Sequence, residues 1–240
     1  MNLRKILQRS HIYFGAEQEF QRIHTLMLRL KARWVIGGYL GSNSIRKLQI
    51  GAGPTQSAEW LTTDIDAKLR RRTLYLDATR PFPIPDASID YVFSEHMIEH
   101  IPYAAGLSML KECHRILKSG GKVRLATPDL GTLLDLKKDN LSELQREYIA
   151  WNTKTFLPPG TPVEPIFVIN NQFRNYGHQF LFDEACLREA LARAGFGEIR
   201  RMPVGESDDE HLRGVEKHGL NMGNESMNAF ESMVLEATRA

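Results

Sequence analysis

From Arg46 onward the chain alternates short apolar runs with segments of helical period, and a chain patterned this way folds as βαβ units around a largely parallel sheet. Strands are predicted at 47–50, 60–64, 73–76, 89–94 and 122–127. A helix over 103–118, with Leu107, Leu110, His114 and Leu117 on one face and a Gly120-Gly121 stop, joins the last two. A later helix runs from an Asp183 N-cap to Gly195 and turns Leu187, Ala190, Leu191 and Ala194 inward. Strands at 196–204 and 229–237 bring the sheet to about seven. The stretch from Pro128 to His178, with Pro158-Pro159-Gly160 and Pro162, is too long for a loop and reads as a helical insertion plus a lid. The expected organisation is therefore a basic helical segment, 1–46, and an α/β domain, 47–240, with an insertion at about 130–180.

Charge is unevenly placed. Residues 1–47 carry nine Lys and Arg against Glu17 and Glu19, about +7, which leaves about −5 for the rest of a chain whose net charge is +2. Ile23, Leu26, Met27 and Leu30, with Arg22, Arg29 and Arg33 between them, predict an amphipathic helix over 20–40. Packing on the domain with solvated arginines is the first expectation. Peripheral contact with an anionic membrane surface, covering of a bound ligand, or capture of an anionic substrate are the alternatives. Nucleic acid is not expected, because no arginine-rich stripe interleaved with aromatics occurs beyond that helix. No apolar run reaches about 18 residues, and none follows Met1-Asn2-Leu3-Arg4-Lys5 as in a secretory signal, so the expected location is cytoplasmic. Cys113 and Cys186 lie far apart inside helical patterns and are expected to be reduced thiols.

Leu48-Gln49-Ile50-Gly51-Ala52-Gly53-Pro54 is a buried strand entering a glycine turn, where a ligand can approach the backbone closely. A dinucleotide fingerprint would require glycine at 56, where Gln56 stands. Asp64 closes the second strand and can accept from ribose hydroxyls; Asp77-Ala78 follows the third and can meet an adenine amine. Three successive strand ends thus converge on one crevice. An adenosine-containing ligand without phosphates fits it, whereas a nucleotide-dependent dehydrogenase does not.

Further residues carry a family resemblance. They are Pro83-Ile84-Pro85-Asp86-Ala87-Ser88-Ile89-Asp90-Tyr91-Val92, Glu99-His100-Ile101, Arg115-Ile116-Leu117-Lys118-Ser119-Gly120-Gly121 and Ala126-Thr127-Pro128-Asp129. In this order, after the glycine turn, they resemble the class I S-adenosylmethionine-dependent methyltransferases of the type 11 kind, over about 47–129 and again around 178–195. The resemblance implies a Rossmann-like fold and S-adenosylmethionine as methyl donor. It also implies that Gly51 and Gly53 approach the methionine part, Asp64 the ribose, Asp77 and Ala78 the adenine, and Ser94 the edge beside the sulfonium. Gln49, where many members have an acid, Thr55, where many have another small residue, and Ser119, where proline is usual, depart from the pattern.

A methyl donor that is already activated leaves the protein to align a nucleophile and, for a hydroxyl, to remove its proton, a task for histidine. Ser94-Glu95-His96-Met97-Ile98-Glu99-His100 offers His96, Glu99 and His100 at helical spacing, and Tyr176-Gly177-His178 supplies a further imidazole. His100 and His178 are the candidate bases. Three imidazoles and a carboxylate also suit zinc or iron, with a hydrogen-bonded cluster as the favoured alternative. The expected reaction is O-methylation of a small or medium hydroxylated acceptor, a sugar of a surface or secreted glycan being preferred. A lipid-like or quinone acceptor and a non-catalytic partner that binds S-adenosylmethionine are the alternatives.

Overall fold

The computed structural model describes residues 11–53, 59–66 and 73–240, the side chains of residues 11–18 and 21 excepted. Its sheet has seven strands: β1 (Lys47–Ile50), β2 (Leu61–Asp64), β3 (Leu74–Tyr75), β4 (Ile89–Glu95), β5 (Leu117–Pro128), β6 (Phe196–Met202) and β7 (Ser232–Arg239). They lie in the order β3-β2-β1-β4-β5-β7-β6. The first five are parallel, and β7 is antiparallel to both β5 and β6. This is the doubly wound α/β sheet that the alternating pattern predicts. The winding reverses between β1 and β4, and at such a reversal the two connections leave in opposite directions and open a crevice at the strand ends. Ile50 pairs with Ser94 and Thr63, so three strands end level with one another there.

The central strands are buried on both faces, with the main apolar core on one and Gln49, Phe93 and Arg124 on the other. Leu48, Ile50, Val92, Val123 and Leu125 are all buried. Helix α1 (His11–Ser42) precedes the sheet, α2 (Tyr103–Ile116) follows a short 3₁₀ turn at Ile98–His100, and α3 (Leu130–Asp135), α4 (Glu143–Phe156) and α5 (Pro165–Arg174) make up the insertion. Helix α6 (Glu184–Arg193) leads into β6; α7 (His218–Met222) and α8 (Glu225–Glu231) lie between β6 and β7. The insertion has a small core of its own around Leu133, Tyr148 and Val168.

Several local expectations shift. Helix α2 ends at Ile116, and the Gly120-Gly121 stop lies within β5 instead. Its buried face is Gly106, Met109, Leu110, Cys113 and Ile116, because Met109 and Cys113 add apolar surface one position round from the predicted stripe. The strand expected from 229 begins at Ser232, since Asn224 caps a helix by accepting from the Met227 N–H. Asp183 caps α6 as its sequence predicts, accepting from Cys186 N–H at 2.8 Å. Both cysteines are free thiols; Cys113 is buried, and burial pushes its thiol up. The N-terminal helix is longer than predicted, and its predicted apolar stripe is turned outward: Ile23, Leu26, Met27 and Leu30 are exposed, while Ala32 and Ile36 on the opposite face enter the core. No helix among the described residues is long and apolar enough to cross a membrane.

The residues of the family resemblance that lie outside the crevice hold the scaffold. Arg115 reaches the carbonyls of Phe82 and Ile84, the Asp86 carboxylate at 2.6 Å and Glu112 at 2.7 Å. The proline-rich entry to β4 and the Arg-Ile-Leu-Lys turn are thus two halves of one clasp. Its hydrogen bond to Arg115 holds the Glu112 carboxyl below the usual range despite partial burial.

Candidate active site

Gly51 and Gly53 both take left-handed backbone, with φ of 67° and 51°. At Gly51 glycine is required twice over, since a Cβ there would lie 2.2 Å from Met97 Cγ. At Gly53 the Cβ position meets nothing within 4 Å among the described residues. The turn is fixed by two hydrogen bonds to β2, from Ala52 N–H to Thr63 O at 3.0 Å and from Gly53 N–H to Asp64 Oδ2 at 2.9 Å. Asp64 Oδ1 accepts from Asp66 N–H at 2.9 Å. Each carboxylate oxygen has a second lone pair, so Asp64 orders the glycine turn and retains acceptor capacity for a diol.

A cavity of about 310 Å³ opens where β1, β4 and β5 end. Gln49, Gly51, Ala52 and Gly53 form one wall, and Glu95, His96, Glu99 and His100 a second. Phe156, Gln172, Tyr176 and His178 come from the insertion; His218, Asn221, Met222 and Glu231 come from the segment before β7. The structure therefore unites Gly51, Gly53, His96, Glu99, His100 and His178. It does not place Asp64, Asp77, Ala78 or Ser94 on that wall. Ser94 is buried beneath it with a hydroxyl that makes no hydrogen bond among the described residues. Asp77 lines a separate groove with Tyr75, Arg80 and, from α1, Arg29 and Arg33. Its Oδ1 accepts from Thr79 N–H at 3.0 Å and Thr79 O–H at 2.6 Å, and its Oδ2 lies 3.9 Å from Arg80 Nε. Ala78 packs at the edge of the core. Thr55 and Gln56 lie outside the described residues.

The His96–His100 segment is not the α-helical turn its spacing suggests. His96 is left-handed, φ 45°, and a 3₁₀ turn follows. The outcome is still one charged cluster. Glu99 is fully buried; its Oε2 accepts from Thr127 O–H at 3.0 Å, and its Oε1 lies 3.3 Å from His96 Nδ1 without hydrogen-bond geometry. Ser232 O–H donates to Asn228 Oδ1, so the Ser232 oxygen accepts from His96 Nε2–H at 3.0 Å. Burial opposes charge on both partners, but their attraction outweighs it: the His96 imidazole is raised and the Glu99 carboxyl lowered. With both ring nitrogens engaged, His96 is ill suited to be the base.

His178 is held differently. Tyr176 and Gly177, both left-handed, turn the chain back toward the 3₁₀ turn. There Gln179 N–H donates to Glu99 O at 2.7 Å and the Gln179 amide to His100 O at 2.8 Å. His178 Nδ1–H donates to Gln172 O at 2.6 Å, which fixes the tautomer and leaves the Nε2 lone pair free. Burial lowers its pKa, so this ring is neutral near pH 7. His100 meets His178 edge to face at 5.0 Å.

Three contributors escaped the sequence reading. Glu95 accepts from the backbone N–H groups of Lys217 and His218, at 2.9 to 3.0 Å, and so draws α7 against the end of β4. His218 thereby stacks on His96 at 3.8 Å, its pKa pushed down to about 3, chiefly by burial. Glu231 is buried, raised by burial, and takes the Tyr148 hydroxyl proton as its hydrogen bond. The pairing of Glu95 with Lys217 spans 122 residues, and no local pattern marks it.

Two groups have donor spacing that would suit a divalent ion: Glu99 with His100 and His178, and His96 with His218 and Glu231. For S-adenosylmethionine the fit rests on other features. The Cβ position of Gly53 and the buried Gln49 Oε1, which has no hydrogen-bond partner among the described residues, face the space beside the glycine turn, ready for a polar amino-acid moiety.

Residues 48–125 match the family model described as a methyltransferase domain. No curated protein sequence matches the chain. Among solved structures it is similar to a SAM-dependent methyltransferase from Archaeoglobus fulgidus, at 16% identity over 94% of this chain and 99% of that one, with a TM-score of 0.50. It is also similar to an S-adenosylmethionine-dependent methyltransferase from Mesorhizobium loti, at 14% identity over 82% and 92% of the two chains, with a TM-score of 0.49. At 16% identity the likeness to the Archaeoglobus protein is one of fold, and the methyltransferase-domain match over 48–125 runs from β1 into β5 and spans the glycine turn, Asp64, Asp77 and the histidine segment. Residues 48–125 are thus matched as a methyltransferase domain, set in the fold of S-adenosylmethionine-dependent methyltransferases, for which S-adenosylmethionine is the methyl donor.

Proposed function

We propose that this enzyme methylates a hydroxyl group of a small or medium acceptor, a sugar of a surface or secreted glycan being the preferred class, with His178 as general base. The observation that carries the reading is the lock on the His178 tautomer by Gln172 O, which presents a neutral Nε2 to the cavity. When bound, S-adenosylmethionine supplies a methyl carbon whose bond electrons return to sulfur as the acceptor oxygen bonds to that carbon. His178 Nε2 takes the hydroxyl proton and later releases it to water. The His96–Glu99 pair is internally neutral and leaves His178 as the uncharged imidazole with a free lone pair.

The cavity is at the small end of ligand pockets and combines apolar walls, Phe156 and Met222, with the amides of Gln49, Gln172 and Asn221. That mixture supports a ring-sized acceptor bearing several hydroxyls. The outward apolar face of α1 favours a second reading, a lipid-like or quinone acceptor delivered at a membrane. The test is transfer of isotopically labelled methyl from S-adenosylmethionine to monosaccharides, nucleotide sugars, quinols and amines, with the product's methylated atom identified by NMR. An O-methyl sugar is the expected product. Methylation of nitrogen or carbon alone would overturn the proposal.

A further inference from the structure

Phe20, Ile23, Met27, Leu30 and Trp34 recur along α1 at alternating steps of three and four and are 57–82% exposed. They form a continuous ridge about 21 Å long, from 14 residues at about 1.5 Å rise. The helix cannot roll to hide it, because Ala32 and Ile36 on the opposite side are already fixed in the core. Arg22, Arg29 and Arg33 follow one flank of the ridge and Lys31 the other. Arg22 pairs with Glu19, whereas Arg29, Lys31 and Arg33 have no ion-pair partner among the described residues. Arg29 and Arg33 also share a groove with Arg80, itself 3.9 Å from Asp77, so guanidinium groups gather where the ridge meets the domain.

We infer that α1 is an interfacial helix that seats this enzyme on an anionic lipid surface, whichever acceptor it methylates. The ridge would enter the boundary between headgroups and acyl chains, with the flanking arginine and lysine stems extending back to lipid phosphates. Charge decides against a second copy of this chain. Joined ridge to ridge, the two helices would set Lys31 and Arg33 beside the seam from both sides, with no carboxylate on that face beyond Glu19, among the described residues, to offset them. An anionic bilayer turns the same cations into attraction.

The test mixes the full chain with phosphatidylcholine vesicles, with and without phosphatidylglycerol, and follows co-sedimentation and tryptophan emission. Of the three tryptophans, Trp34 is 82% exposed, Trp60 only 8%, and Trp151 is partly buried against the insertion's core, so a blue shift on binding that Trp34→Phe removes reports on Trp34. Binding is expected to the anionic vesicles only, falling with salt and by about fivefold for each of Arg29, Lys31 or Arg33 changed to Gln. Phe20→Glu with Met27→Glu should abolish it while affinity for S-adenosylhomocysteine stays unchanged, which shows that the fold and the methyl-donor site are intact. Trp34→Phe should lose the blue shift and keep co-sedimentation. Equal binding to both vesicle types, no binding to either, or binding that survives the double glutamate variant would each overturn the inference. So would a dimer in analytical ultracentrifugation that the double variant dissolves, because a second copy would then own the ridge.

Discussion

Arg124 is a fully buried side chain in the middle of β5, and it lies between two carboxylates, Glu216 and Glu236, with Glu206 O and Pro203 O as further acceptors. Glu216 also accepts from Gly205 N–H at 3.1 Å, so this guanidinium ties both ends of the 203–216 loop to the sheet, while Asp209, paired with Lys122 and Tyr91, ties its middle. Replacing it by methionine keeps most of the stem's volume but strands carboxylates whose side chains are 3% and 11% exposed. Breaking a buried pair from one side costs about 3–5 kcal/mol. For a chain of this size that is a fall in Tm of roughly 6–20 °C. Urea and thermal unfolding of Arg124→Met measure the loss. Combining it with Glu216→Gln and Glu236→Leu should recover at least half, because the orphaned charges are then gone. A single variant within about 1 kcal/mol of the parent would refute the reasoning, since a surface pair is worth no more than that. An equal loss in the single and triple variants would show that packing, not charge, sets the cost.

His178→Gln keeps a donor for Gln172 O but no base, and is expected to lower kcat by about 10²–10⁴-fold with affinity for S-adenosylmethionine unchanged; a kcat within a few fold would move the base elsewhere. Burial lowers the His178 pKa, so the acid limb of the parent's kcat profile should lie below pH ~6.5 and vanish in the variant. At Glu112 the folded carboxyl is held below its unfolded value by Arg115, so its stabilisation is complete above pH ~4.3 and lost as pH falls through the folded value. Glu112→Gln should therefore be less stable than the parent at pH 7 and converge on it as pH falls through the folded carboxyl's depressed value in denaturant titrations, whereas a constant difference across pH would rule out the ion pair as its cause. Dialysis against a chelator should leave kcat unchanged, because the His96–Glu99 and Tyr148–Glu231 contacts already compensate the buried carboxylates; activity lost there and restored by zinc would replace the histidine base with a metal-bound oxygen.

How much of this could be read from the residues depends on the range of the interaction that places each one. The strand ends and the glycine turn were legible because a short apolar run and a left-handed turn are properties of a few neighbouring residues, and Asp64 and Asp77 follow directly from strands already located. His178 was legible for a related reason, since a Tyr-Gly-His turn before a capped helix is short enough for the fold to bring it to the strand-end face. His218 was not. It reaches the cavity only because Glu95 accepts its backbone N–H across 123 positions, and Glu95 reads as one more acidic residue between a strand and a histidine. The α1 ridge was misread for the opposite reason. Local periodicity found the amphipathic stripe correctly, but nothing local says whether the stripe or Ala32 and Ile36, smaller and fewer, will meet the sheet. The sheet chose the smaller face, on which Ala32 and Ile36 alone are fully buried, and left the larger apolar surface outside. An exposed ridge of this size on a helix anchored from behind is what an interaction surface requires and what a purely structural helix would avoid.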